Sequence, residues 1–150
     1  MKKTNKGMQL PDEDHVLRHA SSNRLNRDSE GKILGFLPQA FALRPKDKGL
    51  SVNWLEYFDG DQQFQIKESI RELKSVQDIR KSSAFGVAKV SNVKNVCDNN
   101  KLTVKIIYTP RDKILSHSEI RQLPMDDLLI QEALAYEAFT KLIPNSEIEQ

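Results

Sequence analysis

Residues 50–58 read LSVNWLEYF and constrain the fold more than any other stretch. They hold the chain's single tryptophan, Trp54, and three of its ten aromatic residues. Val52, Trp54, Tyr57 and Phe58 are residue types that favour a pleated, half-buried surface. Strand alternation sets Val52, Trp54, Glu56 and Phe58 on one face and Ser51, Asn53, Leu55 and Tyr57 on the other. Leu50, Trp54 and Phe58 also fit a helical spacing, so periodicity alone does not decide. Turn chemistry does: Lys48-Gly49 precedes the run and Asp59-Gly60-Asp61 follows it, bounding a strand-length segment. A strand whose core face carries Trp54 therefore has Ser51 and Asn53 on its reverse. Those two are either a satisfied polar edge or a pair facing a ligand.

A second apolar piece, residues 36–43 (FLPQAFAL), lies just upstream and is followed by Arg44. Pro38 argues against a central strand there. Asp61 can cap a helix over 62–76, in which Ile66, Ile70 and Leu73 form an i, i+4, i+7 stripe. Residues 83–97 and 102–108 read as the arms of a hairpin turning at Asp98-Asn99-Asn100-Lys101, with a bend at Gly86. A second amphipathic helix is predicted over 125–143, ended by Pro144. The expected architecture is α+β: a small antiparallel or mixed sheet, with strands near 50–58, 84–97 and 102–108, packed by these two helices. One domain over 11–144 suits 150 residues, with a loose polar arm over 1–10 and a polar tail over 145–150.

Charge excludes some function classes. Residues 1–50 carry 10 Lys/Arg against 6 Asp/Glu, residues 51–110 carry 9 against 7, and residues 111–150 carry 4 against 8. A mildly basic front and an acidic end fall short of the strong basic patch that nucleic acid requires. Cys97, alone, rules out an internal disulfide and a thiolate zinc cluster, and reads as a small buried residue. The N-terminus has lysines but no apolar core of a secretory signal, and no apolar run reaches the ~18–20 residues that span a bilayer. A cytoplasmic protein without membrane partner or cofactor is the expectation.

Three polar clusters could carry chemistry. Pro11 to Asp14 reads as a helix start, and His15, Arg18 and His19 follow it. His15 and His19 are four apart and share a face, but Val16 replaces the Glu of an H-E-x-x-H metal site, so no metal is assigned. Ser51, Asn53 and Glu56 on the proposed strand form the second cluster. In the third, Ser116-His117-Ser118-Glu119 matches a capping box, with Ser116 and Glu119 as its partners. His117 at such a helix start would sit beside free N–H groups that bind anions. Arg18 or Arg44 would add charge-assisted bonds. Arg24, Arg27 and Lys32 read as solvated surface. Walker, G-x-G-x-x-G and G-x-S-x-G motifs are absent.

DHVLRHA (14–20), AFALR (40–44), LSVNWLEYF (50–58) and SHSEI (116–120), in that order, resemble a pattern in small uncharacterised bacterial proteins. The likeness spans most of the chain and implies no activity. LRHA (17–20) is also similar to the opening of RNA 2′-phosphotransferases, whose remaining motifs are not evident here.

Two functions follow. The first is a binding or accessory protein that docks a protein partner or a small ligand. The second is a small enzyme on a phosphate-containing, nucleotide-like substrate. There, Arg18 and Arg44 (with Ser116 and Ser118) would bind the anion, Ser51 and Asn53 orient it, and His15, His19 or His117 move protons. Convergence of His15, Arg18, Asn53 and His117 in one cleft would favour a ligand site or an enzyme.

Overall fold

The computed structural model describes residues 5–148. In chain order the elements are β1 (His15–Ala20), β2 (Leu25–Arg27), β3 (Ile33–Phe36), β4 (Gly49–Trp54), α1 (Gln62–Lys74), β5 (Ala84–Lys89), α2 (Val90–Asn99), β6 (Lys105–Tyr108), β7 (His117–Arg121), α3 (Leu128–Ala133) and β8 (Lys141–Pro144). Six strands form one antiparallel sheet in the order β6-β7-β4-β1-β5-β8, and β2 pairs with β3. The α+β architecture is the expected one. No helix among the described residues is long and apolar enough to cross a membrane.

β4 sits inside the sheet, and alternation sorts its side chains as expected. Leu50, Val52 and Trp54 enter the larger core with Val16, Ile106, Tyr108 and Ile120. α2 closes that face through Val90, Val93, Val96 and Cys97, and α3 and the turn after it add Ile130, Leu134 and Phe139. Trp54 is 2% exposed. It meets Tyr108 edge-on at 5.3 Å and donates its indole N–H to Asp14 Oδ2 at 2.8 Å. Such a ring buries on the order of 150–250 Å² while its polar tip finds a partner. Gly86 on β5 admits the Phe36 ring: a Cβ there would lie 2.1 Å from Phe36 Cε2.

The opposite face is covered by α1. Asp61 accepts from Phe64 N and caps it, and Ile66, Ile70 and Leu73 pack on Leu17, Leu55, Phe85 and Val87. The helix matches the sequence expectation except that it ends at Lys74 rather than 76.

Elsewhere tertiary pairing overrides local reading. The strand over 50–58 stops at Trp54 and continues as a 3₁₀ turn, Leu55–Tyr57, with Leu55 buried. The hairpin does not form: 84–89 is β5, but 90–99 is α2, and β6 pairs with β7. Val90, Val93 and Cys97 have helical spacing and supply the buried stripe that explains α2. Pro11 to Asp14 starts no helix of its own; it turns into β1, and the carbonyls of Asp14 and Asp12 accept the first N–H groups of α2, from Val90 and Ser91.

The helix over 125–143 is shorter than expected. α3 ends at Ala133, a π turn spans Leu134–Ala138, and β8 then takes up the free side of β5. A strand ending in Pro144 fits there, since an outer strand can dispense with that N–H. The segments read as arm and tail are packed where described. Gly7 N donates to Tyr108 O and Leu10 is buried, while Asn145–Glu147 form a 3₁₀ turn with Asn145 buried.

Candidate functional site

The ladder between β1 and β4 consists of Val16↔Trp54 and Leu17↔Asn53 and then stops. Continuing it would set His19 opposite Ser51. Instead the Arg18 side chain occupies the gap, donating from Nη1 to Ser51 O at 2.7 Å and from Nε to Ala40 O at 2.8 Å. Its guanidinium carbon lies 5.8 Å from the centroid of the Phe41 ring. A strand carbonyl that lost its ladder partner is thus satisfied by a charged donor, as a backbone acceptor requires.

The parted strands open a cleft of about 360 Å³ beside the C-terminal end of α1. Arg18, His19, Arg24, Arg44, Arg111 and His117 line it, along with Ser51 and Asn53. Among the described residues Asp47 is the one carboxylate on its walls. A larger hollow of about 430 Å³ between α1 and β8, lined by Ile66, Ile143 and Ile148 with Lys67 and Lys141, contains no histidine.

Strand alternation explains the floor. Ser51 and Asn53 of β4 and His117 of β7 share the α1 face, and Asn53 is directly opposite His117. His117 is 3% exposed. Its Nδ1 lies 2.8 Å from Thr109 O and 2.9 Å from Thr109 Oγ1, and its Nε2 lies 3.1 Å from Ser51 Oγ. A carbonyl oxygen can only accept, so Nδ1 carries the proton and Nε2 accepts from the Ser51 hydroxyl. Burial pushes the His117 pKa down, opposed by the Thr109 carbonyl and aided by the Arg111 charge.

His19 is also held neutral. Burial, then the charges of Arg18 and Arg24, push it down to about 4. Its Nε2 is buried without a hydrogen-bond partner among the described residues. Arg18 is lowered to about 10, first by burial and then by Arg24, which leaves it charged at neutral pH. Arg44 and Asp47 form an ion pair at 3.1 Å on the rim, and the hydrogen bonds from Arg44 hold the Asp47 carboxyl below its usual range.

Asn53 is fixed from behind. Its Nδ2 donates to Ser116 Oγ at 2.9 Å, and Ser116 donates its hydroxyl to Glu72 of α1. Glu72 also accepts the backbone N–H groups of Leu115 and Ser116. One carboxylate on α1 therefore anchors the approach to β7.

The convergence includes Arg18, His19, Arg44, Ser51, Asn53 and His117 and leaves out three of the expected site residues. His15 pairs with Glu56, Nδ1 to Oε2 at 2.7 Å, away from the cleft walls. Ser118 lies on the reverse face of β7 and donates to Ser116 O. Ser116 supports Asn53 rather than lining the cleft. The capping box is not realised either. Ser116 to Glu119 lead into and form β7, between β4 and β6, and buried Glu119 pairs with Arg121 at 2.8 Å. His117 therefore stands on a strand, with no helix start beside it.

Sequence reasoning passed over Arg24, taken as surface, and Arg111, Thr109 and Glu72. No local pattern marks these four, because each acquires its role across the sheet or between layers. Among the described residues no group of three or more His, Cys, Asp and Glu could hold a metal ion. No family model, curated protein or solved structure matches the chain.

Proposed function

We propose that the protein binds a phosphate-bearing small molecule in this cleft. The observation that carries the reading is the gathering of Arg18, Arg24, Arg44 and Arg111 around one concavity with a single aspartate among them. A concave wall of one charge sign concentrates oppositely charged ligands. Guanidinium forks suit phosphate oxygens because two parallel N–H groups meet two acceptors. Neutral His19, whose Nε2 has no partner among the described residues, can then bond to another part of the ligand without adding charge. A small ligand is favoured over a docked protein because the charges line a hollow of about 360 Å³ rather than a flat face.

The test is a thermal-shift and calorimetric titration with inorganic phosphate, nucleoside monophosphates and nucleoside diphosphates at fixed ionic strength. A ligand at a hundred times its dissociation constant adds about 2.7 kcal/mol of stability. The expected result is a rise in melting temperature with phosphate compounds that Arg24→Ala and Arg111→Ala each reduce. Equal melting with and without every phosphate compound would sink the reading.

A further inference from the structure

We infer that Ser51 is a nucleophile and His117 its general base, so that the cleft transfers the phosphoryl group of the ligand it holds. This deepens the anion-site reading and rests on it for the substrate class. Three observations meet at one point. The hydroxyl of Ser51 belongs to an exposed residue on the cleft wall, while the imidazole behind it is buried. Nε2 of His117 lies 3.1 Å from that hydroxyl and must accept its proton, because Nδ1–H is committed to the Thr109 carbonyl at 2.8 Å. A base within hydrogen-bond reach of a hydroxyl, itself oriented by a third group, is the arrangement that activates a serine. A carbonyl in that third place fixes the tautomer and favours the imidazolium that forms.

The frame is rigid. Ser51 and His117 stand on neighbouring strands in fixed register, Ser51 facing Glu119 and Asn53 facing His117 across the same ladder. Sites on strands are held more closely than sites on loops. Arg18 donates to the backbone carbonyl of Ser51 and lines the same cleft as its hydroxyl. Arg111 lines the same cleft. Positive groups so placed stabilise charge that develops on transferring phosphoryl oxygens.

The step balances without a redox partner. Ser51 Oγ attacks phosphorus, the Oγ–P bond forms, and the bond from phosphorus to the leaving oxygen breaks with its electron pair. The Ser51 proton passes to His117 Nε2 and from there to the leaving oxygen. Water then attacks the phosphoserine, giving a proton to His117, and inorganic phosphate departs as the proton returns to Ser51.

A fluorophosphonate tests this without the natural substrate, since Ser51 Oγ would displace fluoride and leave a stable phosphonyl adduct. The expected result is a single adduct, located by peptide mass spectrometry on Ser51 and absent from Ser51→Ala. His117→Gln should label about 100-fold more slowly, within the range general-base catalysis supplies. Should that buried substitution fail to fold, the wild-type rate gives the same information: it should fall as pH drops and protonates His117. Absence of an adduct on Ser51, or a rate indifferent to both pH and His117, overturns the inference. Phosphate binding without labelling refutes the nucleophile alone. Labelling without phosphate binding refutes the anion site alone.

Discussion

The two faces of the six-stranded sheet come from the same strands and end in different states. On one, Leu50, Val52, Trp54, Ile106 and Ile120 are sealed beneath α2, α3 and the turn that follows α3. On the other, α1 covers Leu17, Leu55, Phe85 and Val87, and beyond its end Ser51, Asn53, His19 and His117 remain around an open cleft. A closed face is stabilised by burial of apolar area and ring packing. The half-open face keeps polar groups in place through specific partners: Thr109 for His117, Ser116 for Asn53, Glu72 for Ser116. A sealed apolar core and a face that ends in a polar cleft thus lie on opposite sides of one sheet, and strand alternation is what divides them.

The sharpest way to break the closed face is Trp54→Ala. It removes a fully packed ring and the indole N–H donated to Asp14 Oδ2, and should cost about 3–5 kcal/mol in a urea titration. A cost below 1 kcal/mol would mean that the closed face does not carry the fold. A middle-sized effect is expected where the two sides are tied. Glu72→Ala leaves the N–H groups of Leu115 and Ser116 without their carboxylate and should cost about 1–3 kcal/mol. It should also weaken phosphate binding through Asn53, and unchanged binding would disconnect Glu72 from the cleft.

The smallest effect, on the open face, concerns acid. Folded His19 titrates at about 4 against an ordinary 6.5, so between those values the unfolded chain binds more protons. Its contribution is therefore fully present above about 6.5 and drains as pH falls toward 4; His117, also lowered, acts in the same direction. His19→Gln should flatten the fall of melting temperature between pH 6.5 and 4.5. An unchanged slope would assign the acid loss to other groups.

Much of this was legible where a local pattern coincides with a packed face. The Trp54 strand, its alternation and the Asp61-capped helix follow from side-chain type at the period of each element, which no distant contact needs to supply. His19, Arg18, Arg44, Ser51, Asn53 and His117 were recognisable as candidates because their chemistry is visible in a sequence. The segments misread locally are those whose partners lie far away. Residues 141–143 continue a helical pattern but pair with β5, and Ser116 to Glu119 match a cap but enter the sheet between β4 and β6. Backbone groups in both segments find their hydrogen bonds in strands already present, and that gain outweighs intrinsic preference.

By itself, then, the sequence determined the α+β class, the face on which Trp54 is buried and the polar character of the reverse face. The tertiary structure alone decided that β1 and β4 part after Leu17↔Asn53, that Arg24 and Arg111 join Arg18 and Arg44, and that Ser51 meets His117. Alternation is a property of neighbouring residues. Convergence depends on strand register across gaps of 66 residues for Ser51 and His117, which no local spacing encodes.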